Sequence, residues 1–133
     1  MGKTSPAIPT TRIISVSIPV SDQERAKQYY CDVLGFDLLV DKELWQGARL
    51  IEVGLPGSDV VLLLLDEKGE IPVGVRMGVV DSDAAHRVIK QHDSSVRDEV
   101  LRLEFAPPMF EFTDPDGNVL VYIEDPAAGV PES

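Results

Sequence analysis

Arg76 has the strongest chemical implication in the sequence, because it is a cation inside a predicted strand. It alternates with the apolar members of residues 75–79, so its side chain is expected on the opposite face of the strand. A guanidinium there can recognise a ligand carboxylate or phosphate. The alternative is an internal ion pair with Glu52, Glu111 or Glu124, and the sequence leaves both open.

Two carboxylates, Glu52 and Glu111, occupy matching positions in separate predicted strands, each between two apolar residues. Such a pair could take a hard cation or transfer protons. His86 and His92 are the only histidines, and both fall in a predicted helix on the far side of the sheet. Cys31, the single cysteine, is interpreted as a small apolar helix residue, and no intrachain disulfide can form.

Aromatic and hydroxyl side chains supply further candidates for a binding site. Trp45 lies within residues 41–47, the predicted connection between the second and third strands, where it could stack on a planar ligand or close one end of the sheet. Phe110 could line an apolar wall or belong to the core. Ser15 and Ser17 lie on the polar face of the first strand.

The chain repeats itself at a constant offset, which pairs Asp22 with Asp81, 59 residues later. The same offset aligns apolar positions of the first strand, the helix and the later strands without a gap, so we expect two related modules. The predicted strands are 13–20, 36–40, 49–55 and 60–65 in the first module and 74–80, 100–105, 109–113 and 119–124 in the second. Helices are predicted from Asp22 to Gly35 and over residues 83–92.

Each module therefore has the order β-α-β-β-β, which predicts an α+β fold whose paired, curved mixed sheets enclose a cleft. We place the first module at residues 12–68 and the second at 69–125, with flexible segments at 1–11 and 126–133. Helices cover one face of each sheet, and a concave site between modules is where ligands usually bind.

Composition limits the partners. A formal net charge of −11 disfavours nucleic acid and anionic lipid. It would favour a cationic ligand or simply promote solubility. The chain has no apolar stretch near the roughly 18 residues of a membrane helix. Since the N-terminal residues also lack an apolar signal core, we expect a cytoplasmic domain with no membrane partner.

Three segments together resemble the vicinal oxygen chelate superfamily, which includes glyoxalase I, bleomycin resistance proteins and extradiol dioxygenases. They are the strand end Val20-Ser21-Asp22, the helix end Tyr29-Tyr30-Cys31-Asp32-Val33-Leu34-Gly35-Phe36, and the late segment Phe112-Thr113-Asp114-Pro115-Asp116-Gly117-Asn118. The resemblance covers residues 13–124. It is specific for the fold, whereas members of the superfamily isomerise, cleave or merely bind.

Metal enzymes of this superfamily place one ligand, usually His or Glu, on the first and the last strand of each module. The resemblance puts these four positions at Ser15, Gly74, Val121 and Leu62, the last of which could shift by one or two residues. Aliphatic side chains and glycine cannot bind a divalent cation, and a serine hydroxyl is a poor ligand. We therefore expect no metal and no cofactor.

The resemblance implies a protein that lacks the usual metal ligands and binds a small organic molecule, such as one of the antibiotic type, in the cleft. Candidate ligand-binding residues are Ser15, Ser17, Trp45, Glu52, Arg76, Phe110, Glu111 and Val121. By analogy with bleomycin-binding relatives we expect a homodimer. The alternatives are a lyase, isomerase or dioxygenase with an atypical metal site or none, and a scaffold whose cleft is filled by its own side chains.

Overall fold

The computed structural model describes residues 6–104 and 106–125. The chain divides into two compact units, a first unit of residues 14–76 and a second unit that begins at Met77 and also includes the segment before Ile14. The predicted module boundary after residue 68 lies inside the first unit. Strands and helices occur in both units, so the α+β class is confirmed.

The first unit is a four-stranded sheet covered by one helix. Its elements are β1 (Ile13–Val20), α1 (Gln23–Gln28), β2 (Asp37–Trp45), β3 (Ala48–Gly54) and β4 (Val61–Asp66). The strand order is β2-β3-β4-β1, with β1 parallel to β4 and the other pairs antiparallel.

Helix α1 begins after Asp22, whose carboxylate accepts a hydrogen bond from the backbone N–H of Arg25 at 3.0 Å. It continues as a π-helical segment, Tyr29–Val33, before Gly35 turns the chain with a φ of 83°. The predicted helix end at Gly35 is thus confirmed. The helix packs on a core of fully buried strand residues: Ile51, Val53 and Leu64.

The second unit contains β5 (Val75–Val79), α2 (Ser82–His92), β6 (Met109–Thr113) and β7 (Val119–Glu124), with strand order β5-β7-β6. The two units divide inside β5. Asp81 caps α2 as Asp22 caps α1, by accepting from the N–H of Ala84 at 3.1 Å. An apolar core lies under α2, formed by Val79, Ala85, Val96, Phe110, Phe112 and Tyr122.

The predicted strand 100–105 is wrong in extent. Its described part is reduced to a single bridge, in which Leu101 pairs with Met109, and Phe105 lies outside the described residues. Pro107 and Pro108 follow directly, and proline has no N–H to donate to a strand partner. The chain therefore cannot continue a regular ladder into β6.

The end of the predicted N-terminal segment is held by hydrogen bonds in the second unit. Thr10 Oγ1 lies 2.7 Å from Tyr122 Oη, and Thr11 N–H donates to the carbonyl of Gly78 at 2.9 Å. Arg12 Nε donates to the buried Asp125 carboxylate at 2.8 Å. The prediction of flexible segments at residues 1–11 and 126–133 falls outside the described residues for 1–5 and 126–133.

Neither helix of the described residues is long and apolar enough to span a membrane.

Candidate functional site

One face of the first unit's sheet carries polar side chains, and strand register identifies them. Glu52 lies opposite Leu63, which in turn lies opposite Ser17, so all three point to the same side of the sheet. Ile51 and Val53 flank Glu52, point the other way and are fully buried under α1. The predicted orientation of Glu52, away from its apolar neighbours, is confirmed.

Trp45 belongs to this same face, which the sequence did not predict. Instead of lying in a long connection, it is the last residue of β2, and Gln46 and Gly47 form a two-residue turn to β3. The β2–β3 register shifts between Glu43 and Trp45, so that Trp45 pairs with Ala48 while Lys42 pairs with Leu50. A bulge re-aims the side chains that follow it.

Because Ala48, Leu50 and Glu52 alternate along β3, their partners Trp45 and Lys42 share the side of Glu52. We call the surface formed by Lys42, Trp45, Glu52, Ser15 and Ser17 the Glu52 face. Trp45 and Glu52 are half-buried and Lys42 is exposed, whereas Ser15 and Ser17 are buried. A ligand approaching this face therefore meets a ring, a carboxylate and an ammonium group.

Arg76 reaches the Glu52 face from β5 and is only 5% exposed. Its Nη1 donates to Ser17 Oγ at 2.8 Å, and its Nη2 donates to the Pro72 carbonyl at 2.8 Å. Ser17 and Arg76 are 59 residues apart, the repeat offset itself, so the offset could have identified this pair. Both hydrogen bonds are internal, which favours a positioning role for Arg76 over direct contact with a ligand.

Glu52 is a carboxyl of this face whose acidity is altered by its surroundings. Burial raises the pKa of the Glu52 carboxyl above its ordinary value, and the positive charges of Arg76 and Lys42 only partly oppose this. A carboxyl with a raised pKa accepts a proton more readily than one in water. Glu52 can thus accept a hydrogen bond from a ligand or exchange a proton with it.

Ion pairs fix the hairpin that carries Trp45. Arg49 makes two hydrogen bonds to the Asp41 carboxylate, at 2.8 and 2.7 Å, and Lys27 of α1 donates to the same carboxylate at 3.0 Å. Arg49 also reaches Glu24 of α1 at 2.8 Å. The hydrogen bonds from Arg49 and Lys27 hold the pKa of Asp41 well below its usual range. The network anchors the β2–β3 hairpin to α1.

The remaining candidates lie elsewhere. Phe110 is buried under α2, where its ring meets that of His86 edge to face at 5.1 Å, so it is a core residue. Glu111 and Val121 pair across β6 and β7 in the second unit; Glu111 is exposed and Val121 is fully buried. Leu62 packs in the core under α1, while Val61 is the β4 residue opposite Ser15.

Comparison with known families identifies the superfamily of the chain. Residues 12–122 match the profile of the Glyoxalase/Bleomycin resistance protein/Dioxygenase superfamily. The chain belongs to this superfamily.

Relatives of the superfamily cover most of the chain. Methylmalonyl-CoA epimerase from Mycobacterium tuberculosis has a similar structure, with a TM-score of 0.71, 22% identity and coverage of 91% of this chain and 92% of that one. TnmS3, an antibiotic binding protein from Streptomyces sp. CB03234, is 30% identical over 88% of this chain and 98% of its own, with a TM-score of 0.41. The uncharacterized protein YetH of Bacillus subtilis is 25% identical over 85% of this chain and 98% of its own.

The residues at the superfamily's metal positions do not fit a divalent cation. Ser15 is 2% exposed and offers only a hydroxyl, Gly74 has no side chain, and Val121 is aliphatic. On β4 both Leu62 and Val61, the residue opposite Ser15, are aliphatic. Among the described residues, no group of three or more His, Cys, Asp or Glu side chains could hold a metal ion.

Proposed function

We propose that this superfamily member binds a small organic molecule on the Glu52 face without a metal held by its own side chains. The observation that carries the proposal is the bulge that brings Trp45 to the same side of the sheet as Glu52. An aromatic ring and a carboxylate of altered basicity on the same side of the sheet can supply a stacking surface and a polar contact to one extended ligand. The hydrogen bond between the buried side chains of Arg76 and Ser17 stabilises the strands that form this face.

The chemistry of the face indicates what the ligand offers. Its partly buried carboxylate suits an amine, amide or hydroxyl group that donates a hydrogen bond, and Trp45 suits a planar ring. A net charge of −11 attracts cationic molecules over longer distances. We therefore propose an antibiotic-type ligand that is sequestered rather than modified, the role that bleomycin resistance proteins represent in this superfamily.

A thermal-shift screen of chelator-treated protein tests the proposal, because a ligand that binds only the folded state raises the melting temperature. Planar antibiotics with basic amines form the main set, and small carboxylates form the comparison set. Glu52→Gln should weaken a hit by about tenfold, as expected for the loss of one charge-assisted hydrogen bond. Glu111→Gln, the exposed carboxylate at the matching position of the second unit, is the control and should bind like the wild type.

The binding proposal fails if the amine-bearing set gives no hit, or if both glutamate variants lose affinity equally. Stoichiometric zinc, nickel, manganese or iron in the purified protein, seen by native mass spectrometry, would also contradict it.

A second candidate is proton transfer catalysed by Glu52, as in a lyase or isomerase that needs no metal. The raised pKa of Glu52 favours this role, since a general base works best when its pKa lies near the operating pH. In that case Glu52→Gln would abolish turnover of a bound compound while leaving its affinity within about threefold. Loss of affinity without any wild-type turnover would instead support the binding role.

We also propose a homodimer and a cytoplasmic location. The first unit exposes large apolar side chains at the end of its π-helical segment and just after it, on β2 and beyond β3, namely Val33, Leu34, Leu38, Leu39 and Leu55. Leu38→Asp should convert a dimer to a monomer in light scattering, whereas Val119→Asp on the second unit should not. A wild-type monomer at all concentrations would refute the dimer.

The single cysteine suits a reducing compartment.

A further inference from the structure

The C-terminal half of α2 and the residues after it are basic, although the chain as a whole is acidic. Residues 86–97 contain three of the 12 Lys and Arg residues and both histidines, but a single acidic residue, Asp93. The rest of the chain carries the other acidic residues, which outnumber its basic ones. Because Asp98 and Glu99 follow directly, an anion would be held here by individual side chains rather than by an extended cationic surface.

The structure has a groove between α2 and residues 96–98. Lys90 Nζ donates to the Val96 carbonyl at 2.6 Å and pairs with the Asp98 carboxylate, which draws residues 96–98 alongside α2. His86 Nε2 meets the Arg97 carbonyl at 2.6 Å. Between the helix and this segment is a cavity of about 380 Å³ lined by His86, Arg87, Lys90, Gln91 and Asp98.

Two of the lining cations are available to a ligand. Arg87 is exposed, and among the described residues its guanidinium makes no hydrogen bond or ion pair. Lys90 follows it by three residues, so both side chains project from one side of α2. The Asp98 side chain, which forms an ion pair with Lys90, is 90% exposed. Such an exposed ion pair stabilises the fold by little and can be exchanged for another anion.

We propose that this groove on α2 binds a phosphate-bearing small molecule, with Arg87 and Lys90 as its anchors and Asp98 as the group that the phosphate displaces. Guanidinium and ammonium groups are suited to phosphate oxygens, the first through paired hydrogen bonds and the second as a point charge. The volume of this open groove, about 380 Å³, is at the lower end of the range of small-molecule sites. The proposal concerns the second unit and does not depend on the ligand of the Glu52 face.

Isothermal titration of the full chain with glycerol phosphate and with inorganic phosphate, at constant ionic strength against chloride, tests this site. Saturable binding is expected, and Arg87→Gln should weaken it by about tenfold. Arg25→Gln removes the same charge from an exposed position on α1 and should leave the affinity within about twofold. Asp98→Asn removes the competing anion and should tighten binding.

The two probes distinguish the source of the phosphate. Tighter binding of glycerol phosphate indicates an organic phosphate that uses the remainder of the cavity, and equal binding indicates the free ion; both support the site. The proposal is overturned if neither probe saturates, if Arg25→Gln weakens binding as much as Arg87→Gln, or if Asp98→Asn weakens it. Amide shifts of residues 86–98 in NMR spectra should accompany genuine binding.

Discussion

Arg76→Ala should destabilise the protein strongly, because it removes a buried cation from two internal hydrogen bonds. The bonds to Ser17 Oγ and the Pro72 carbonyl are both 2.8 Å long, and hydrogen bonds to a charged group contribute about 1.5–3 kcal/mol each. The loss should therefore be about 3–5 kcal/mol, a large share of a total stability of about 5–15 kcal/mol. At about 3–4 °C for each kcal/mol, the melting temperature should fall by about 10–20 °C.

Urea denaturation of four proteins measures the effect: wild type, Arg76→Ala, Ser17→Ala and the double variant. Because the two side chains share a hydrogen bond, their effects should be non-additive, with a coupling of about 1–3 kcal/mol. Arg25→Ala, at an exposed position of α1, should change stability by less than about 0.5 kcal/mol. Arg76→Ala within about 1 kcal/mol of wild type, with no coupling to Ser17, would refute the positioning role and return Arg76 to ligand recognition.

Three further predictions concern stability. Burial raises the pKa of Glu52 in the folded state above its unfolded value of 4.5, so stability falls as pH rises from the unfolded pKa through the folded one. Glu52→Gln should therefore be more stable than wild type at neutral pH and lose this advantage in acid, which melting curves across pH will measure. Asp41 has a lowered pKa, so its contribution is present at neutral pH and lost in acid: Asp41→Asn should cost about 1 kcal/mol in urea denaturation at neutral pH and progressively less in strong acid. A Cβ at Gly78 would lie 2.5 Å from Thr11 Oγ1, so Gly78→Ala should lower the free energy of unfolding by about 1–3 kcal/mol. Adding Thr11→Ala should recover part of this loss, whereas an unchanged stability of Gly78→Ala would contradict the close contact.

Simple alternation was sufficient to orient the charged strand residues. It placed Glu52 opposite Ile51 and Val53, and the register confirms this. It also placed Arg76 away from its apolar neighbours, in agreement with the bond to Ser17. Strand periodicity is set by the backbone, so it can be read from side-chain types alone wherever the strand is regular.

The position of Trp45 could not be predicted in this way, because the bulge before it breaks the alternation. Without the register shift, Trp45 would share the side of Asp41 and Glu43. A bulge adds one residue to one strand, and no residue type marks it reliably. Likewise the resemblance places Leu62 on the face that carries metal ligands, but β4 is aliphatic throughout residues 61–65, so its sequence contains no signal of register.

The sequence also does not show whether Arg76 contacts a ligand or the protein itself, because this depends on which groups lie near it in space. The sequence offers acidic partners at Glu52, Glu111 and Glu124; two hydrogen bonds of Arg76 go to a hydroxyl and a backbone carbonyl, and its charge also acts on Glu52. Glu124 instead accepts from the N–H of Ser82 at the start of α2. Neutral hydrogen-bond acceptors cannot be predicted from the positions of charged residues in the sequence.

Fluorescence of Trp45 provides the most direct measurement, because it is the only tryptophan in the chain and lies on the proposed binding surface. Chelator-treated protein titrated with an amine-bearing planar compound should show a saturable change in emission, with a weaker midpoint in Glu52→Gln and an unaltered one in Glu111→Gln. Emission that responds only after a divalent metal is added, or that is indifferent to Glu52, would contradict metal-independent binding at this face.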